Sequence, residues 1–238
     1  MTRIVVTAHK LWTRFTSLLR EVTPPRIDVN RLRDEIETVF SSVTDLVISR
    51  HCYNRLVAIV KANQSIREPN VFLEVFKFHY VSYATSAIFR QIDQHPKVIS
   101  LIKLLLQIER NPQKIMKQWY ASQYIHAGRS LGEIEFQENF GRLAYVDPAI
   151  VRADIDNLQC KTRHIKSLRH KRIAHYDRGK FVVDRRLDFN YLNSAISLLE
   201  HLAVKYYLLL HQTGHPYGLL PVGLEEEEEV FSLPWKPS

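Results

Sequence analysis

Val151, Ile155, Leu158, Thr162 and Ile165 follow one another at steps of four, three, four and three residues. That spacing puts five side chains on one face of an α-helix and on no single face of a strand, whose period is two. The run begins just after Asp147 and Pro148, an N-cap acid and a residue suited to the first helical position. The last long segment steps the same way: Phe189, Leu192, Ile196, Leu199, Ala203, Tyr206 and Leu210 form one seam, fit for a core or a dimer interface. Near the start, Ile36, Val39 with Phe40, Val43 and Val47 recur at threes and fours. Such segments must bury helix against helix. Seven glycines in 238 residues leave little turn material for a many-stranded fold.

The chain is therefore expected to be all-α, an antiparallel bundle of about five to six helices. Asp28 or Asn30 caps a first helix reaching about Ile66, and REPN at 67–70 breaks it. Residues 71–93 form a second helix, whose Phe72, Phe76, Tyr80 and Tyr83 are expected in the core. Ser100 caps LIKLLLQIER, which RNP stops. PQKIMKQWYASQYIHAG reads as one helix closed by Gly128, and residues 128–146 as less regular chain. A long helix spans 148–176, and GKFVVDRR connects it to the final helix, 188–211. The domain limits follow: an N-terminal arm at 1–27 without a sustained period, a helical domain at 28–211, and a Pro- and Glu-containing tail at 212–238.

Charge and cysteine usage narrow the partners. The formal net charge is +8, although five acids stand together at Glu225–Glu229, so the rest of the chain is more basic still. Such a body attracts RNA or DNA first and anionic membrane second. The acidic run reads as a solubilising end, or as a nucleic-acid mimic that folds back on the basic region. Cys52 and Cys160 are far apart in sequence and suit buried thiols in a reducing compartment. No run approaches the roughly 20 apolar residues of a membrane helix, and no signal peptide is recognisable. The expectation is a cytoplasmic protein with no membrane partner.

One stretch departs from the helical pattern. Beyond Ile165 the stepping continues to Arg169 and Arg172, with His175 three residues further. The stripe that faces the core thus turns from aliphatic to guanidinium. An unpaired charge is costly to bury, so these arginines need an anion, a carboxylate or solvent. Between Lys161 and Arg172 stand Lys161, Arg163, Lys166, Arg169, Lys171 and Arg172, plus His164 and His170, and no acid. Such a run also serves as a solvated face or as a complement to a helix C-terminus. Salt bridges to Asp154, Asp156 or Asp177 are a further reading. The residue types suit metal-independent RNA cleavage: histidine transfers a proton near neutral pH, and arginine grips phosphate in a bidentate manner. A helix C-terminus favours the protonated form of His175.

Arg169–His170, four residues and His175 resemble the HEPN motif of arginine, a polar residue, a short spacer and histidine. The fuller RHKRIAHYD is similar to the corresponding string of abortive-infection HEPN-like proteins of the AbiU type. FLEVFKFHYVSYATSAIFRQIDQ, then SLIKLLLQI, and VDPAIVRADIDNLQCKTRHIKSLR look like their aromatic, following and motif-bearing helices. The resemblance covers roughly residues 30–211. It implies a HEPN-like bundle, usually dimeric with both motifs meeting in one composite site, and a metal-independent endoribonuclease of a phage-defence or toxin–antitoxin setting, with an antitoxin or defence partner. It assigns Arg169 to the scissile phosphate and His175 to proton transfer. His170 falls at the polar position, where asparagine or aspartate is commoner, and Arg172 at a basic, RNA-contacting one. Lys171, Lys166 and Arg163 are further RNA-binding candidates. A non-catalytic HEPN module binding RNA or protein is the alternative. The tyrosine of the nucleotidyltransferase-paired toxins, two residues after histidine, is absent here.

The histidines at 164, 170 and 175 stand six and five apart and do not stack on one helical face. No metal and no cofactor is expected. Tyr191, Tyr206 and Tyr207 read as packing residues.

Overall fold

A computed structural model describes residues 28–63, 71–124, 128–168, 189–212 and 219–220, with the side chains of 166–168 left aside. These residues form seven α-helices: α1 (Val29–Ala62), α2 (Val71–Ile92), α3 (Leu101–Arg110), α4 (Lys117–Ser122), α5 (Arg129–Phe140), α6 (Pro148–Leu168) and α7 (Phe189–His211). The all-α bundle is as the periodicity requires, and no strand occurs among the described residues. One helix, α5, is not among those expected, and α4 is a short remnant of the expected 112–128 helix.

The helix starts follow local chemistry. Asp28 caps α1, its Oδ1 accepting from the Asn30 amide at 3.0 Å. Asp147 does the same for α6, accepting from the Ala149 amide at 2.9 Å, and Pro148 is the first helical residue. Gly141, between α5 and α6, has φ +95° and lies so close to Asp147 that a Cβ would stand 2.8 Å from the Asp147 Cβ. A side chain there would meet both backbone strain and a clash. At α3 the cap is shared differently from expectation. Ser100 sits at the N-cap position, but its hydroxyl donates to the Asp93 carbonyl at 2.6 Å. The orphan Leu101 amide donates instead to the Gln91 Oε1 at 3.3 Å.

The stretch from Pro112 to Gly128 is not one helix. A 3-10 turn at Pro112–Lys114 is followed by an isolated antiparallel bridge between Met116 and Tyr145, and only then by the short α4. The Lys117 amide donates to the Ala144 carbonyl and the Val146 amide to the Ile115 carbonyl, at 2.9 and 3.2 Å. This long-range pairing removes residues 115–116 from any local helix. Residues 129–140, read as less regular, are helix α5, and Gly128 precedes it with φ +86°.

Three antiparallel pairings set the topology. Gln91 donates to the Ser42 hydroxyl at 3.1 Å and Tyr80 stacks on Tyr53, so α2 returns along α1. Arg33 donates to the Leu210 carbonyl at 2.9 Å, and Arg50 reaches Ser197 and Glu200 at 2.9 and 2.8 Å, so α7 also runs against α1. Lys205 meets Asp154 at 2.7 Å while His164 meets Tyr191, so α6 runs against α7. The C-terminal ends of α1 and α6 and the N-terminal ends of α2 and α7 therefore gather at one end of the bundle.

The core lies between these four helices and α3. Val151, Ile155, Leu158, Thr162 and Ile165 are all buried, each aliphatic contributing about 1.5–3 kcal/mol. Thr162 satisfies its hydroxyl on its own helix, donating to the Leu158 carbonyl at 2.6 Å. In α7, Leu192, Ile196, Leu199, Ala203, Tyr206 and Leu210 are buried and Phe189 half-buried, so that seam is core. The aromatic stripe of α2 is not. Tyr80 is buried, whereas Val71, Phe72, Val75, Phe76 and Phe78 are 39 to 73% exposed, and Tyr83 is exposed too. Only the C-terminal half of α2 carries small and aliphatic residues that fit against neighbours: Ala84, Ala87 and Ile88 are buried.

Candidate functional site

The candidate site is the end of the bundle from which α6 delivers its C-terminus. Behind it stands an aromatic stack. The rings of Tyr53 and Tyr80 are 4.2 Å apart, and Phe189 lies parallel to Tyr53 at 5.6 Å. The Lys77 ammonium sits 5.7 Å over Phe189. This stack ties α1, α2 and the start of α7 together.

Burial pushes the Tyr80 phenol up to about 12; the Arg50 charge opposes that rise and Tyr53 adds to it. Tyr53 is raised for the same first reason, with the Glu74 carboxylate second. Both phenols stay neutral at physiological pH. The Tyr80 hydroxyl has no hydrogen-bond partner among the described residues.

The candidate residues fall on both sides of the described boundary. Arg163 is exposed on α6, and so are Lys161 and His164. Lys166 lies within α6, and its side chain is outside the described residues. Arg169, His170, Lys171, Arg172 and His175 are outside them altogether, as are the rest of the expected helix to 176 and the GKFVVDRR connection. The buried seam continues to Ile165, four residues before Arg169. Leu168, the last residue of α6, is the chain neighbour of Arg169.

Asp154, one of the carboxylates of the salt-bridge reading, is engaged across to α7. Asp154 already accepts from Lys205 at 2.7 Å and from the Tyr206 hydroxyl at 2.8 Å, all through Oδ2. Burial and then the Asp154 charge raise the Tyr206 phenol further than any other cause, which keeps it a donor.

Two sequence expectations change here. Tyr191, read as a packing residue, is 50% exposed and lies against His164, ring centroids 4.9 Å apart. It stands off the 189–192–196 seam, which is the signal that marks it as outward. Cys160, expected to be buried, is exposed on α6 and Cys52 is half-buried. Among the described residues no three His, Cys, Asp or Glu side chains cluster as metal ligands would, and no helix is long and apolar enough to cross a membrane.

The family model described as AbiU2, of the HEPN group, matches residues 29–231, most of the chain. No curated protein and no solved structure matches it.

Proposed function

The chain belongs to the AbiU2 family of abortive-infection HEPN-type proteins, and from that premise we propose that it is a metal-independent endoribonuclease acting as a homodimer. Arg169 holds the scissile phosphate through its guanidinium, and His175 transfers the proton. The 2′-hydroxyl oxygen bonds to phosphorus and gives up its proton to a base. The bond from phosphorus to the 5′-oxygen breaks, and that oxygen takes a proton. The products are a 2′,3′-cyclic phosphate and a 5′-hydroxyl. His170, Lys171 and Arg172, with Lys166 and Arg163, supply polar and cationic contacts to the strand.

The observation that carries this reading is the buried seam of α6. Val151 to Ile165 is core, and the next positions in its register are Arg169 and Arg172. Cations that follow directly from a core stripe need an anion, a carboxylate or solvent, and the RNA phosphate is the proposed anion. Cytoplasmic defence, with an antitoxin or other partner, is the setting the family suggests.

A labelled RNA incubated with the protein in EDTA tests it. Cleavage should occur, should stop when a 2′-deoxy nucleotide replaces the scissile one, and should be lost in His175→Ala and Arg169→Ala with helicity kept. Binding with no cleavage by the wild-type protein makes it a non-catalytic RNA-binding module and sinks the enzymatic reading.

A further inference from the structure

Tyr191 and His164 form a tilted ring pair on the outside of the bundle, at the end where α6 ends and α7 begins. Their ring centroids are 4.9 Å apart with 31° between planes. Both residues are exposed, and half of Tyr191 remains open to solvent. Leu192, the next residue of α7, is buried, whereas Tyr191 faces outward.

Its surroundings favour a polyanion. Lys161 is exposed and lies three residues before His164, on the same side of α6. Arg163 is exposed beside it. The covalent chain limits the distance to the motif. His164 to Leu168 is four helical steps, about 6 Å, and Arg169 follows at one Cα–Cα step of about 4 Å. By covalent reach alone, the Cα atoms of His164 and Arg169 are therefore at most about 10 Å apart.

We infer that Tyr191, backed by His164, is a stacking platform for one nucleobase of the bound strand, and that the site accordingly takes single-stranded RNA. An open aromatic face beside cations is the combination that holds unpaired bases without reading their sequence. A base inside a duplex is already stacked on both faces and cannot use it. Lys161 neutralises a phosphate neighbouring that base. The inference rests on the RNA-cleaving reading above but is measured separately from it.

The experiment uses the full chain and a short 2′-O-methyl RNA, which cannot be cut by 2′-hydroxyl attack, with affinity read by fluorescence anisotropy. Tyr191→Ala should weaken binding of the single strand by about tenfold, and Tyr191→Phe, which keeps the ring, by less than about twofold. A duplex of the same length should bind equally to wild type and Tyr191→Ala. Circular dichroism confirms that the half-exposed residue is not needed for folding. Unchanged single-strand binding by Tyr191→Ala, an equal loss for duplex and single strand, or no binding by the wild type overturns the platform. Failure of the enzymatic reading looks different: unmodified RNA stays intact in EDTA while the platform signature persists.

Discussion

Tyr53 and Tyr80 lie face to face, their ring centroids 4.2 Å apart and their planes 5° from parallel. The contact joins α1 to α2 at the end of the bundle where α6 terminates. It also leaves the Tyr80 hydroxyl buried without a partner.

Removing that hydroxyl tests the packing directly. Tyr80→Phe keeps the stack and eliminates a desolvated polar group, so stability at neutral pH should be unchanged or higher by up to about 1 kcal/mol. The phenol titrates near 12 in the fold and at 10.0 when unfolded. Between those values the unfolded chain has lost the proton and the folded chain keeps it, so stability falls as pH rises. The wild type should lose on the order of 2 kcal/mol more than Tyr80→Phe over that window. Urea titrations of both proteins at neutral pH and near pH 12 measure it; parallel losses in the two would show that the phenol is not held neutral.

Gly132 is the tightest helical position in the α4–α5 hairpin. A Cβ there would stand 2.7 Å from the Tyr124 Cδ2 and 2.9 Å from the Ala121 Cα. The second neighbour is backbone and cannot swing away. Tyr124 is also held, donating to Glu135 and sharing a hydrogen bond with Tyr120 at 2.8 Å. Alanine gains about 1 kcal/mol in helix propensity, but the overlap should outweigh it. A net loss of about 1–2 kcal/mol is expected in Gly132→Ala, read as a lower denaturation midpoint at unchanged slope.

How far these features were legible in the sequence depends on the range of the interaction that makes them. The α6 seam was fully visible, because a helix of that length repeats one local spacing and all five seam residues are buried. The α3 start was visible in position only: Ser100 is the N-cap residue, but the amide it should satisfy is taken by Gln91, ten residues away. The break at residues 115–116 was hidden because the Met116–Tyr145 bridge is a pairing across 29 positions. The aromatic residues of α2 misled for another reason: period and composition reveal a helical face, but not whether a neighbour covers it. Of the candidate site, Arg163 is seen on the surface, while the motif itself, Arg169 to His175, stands on sequence and family alone.

Asp154 is a hub between α6 and α7 that owes nothing to the cationic site. Its Oδ2 accepts from both Lys205 and Tyr206, and the Lys205 and Asp154 side chains are only 12% and 18% exposed. Asp154→Ala leaves an ammonium and a buried phenol without their acceptor, and should cost about 2–4 kcal/mol. Asp154→Leu combined with Lys205→Met removes both charges and should restore part of it, the Tyr206 hydroxyl still lacking its acceptor. Thermal melts of the three proteins decide this. RNA binding measured below the melting range should be the same in all of them, since the pair is structural; a selective loss of binding in the folded double variant would contradict that.

The exposed half of α2 is where a second copy should dock if the proposed composite site is right. Val71, Phe72, Val75, Phe76 and Phe78 present apolar surface at the end of the bundle where α6 terminates, and Phe72 and Phe76 stack on each other at 5.9 Å. Covering such a face in a symmetric contact removes apolar area from water on both partners and brings two motif ends together. The wild type should therefore sediment as a dimer at micromolar concentration, and Phe72→Ser with Phe76→Ser as a monomer of unchanged helicity. Cleavage should fall to background in that variant although Arg169 and His175 are intact. Leu131→Ser with Ile134→Ser alters exposed apolar residues elsewhere, on α5, and should change neither mass nor activity. A wild type that cleaves as a monomer, or a Phe72/Phe76 variant that remains a dimer, places the second copy on another face.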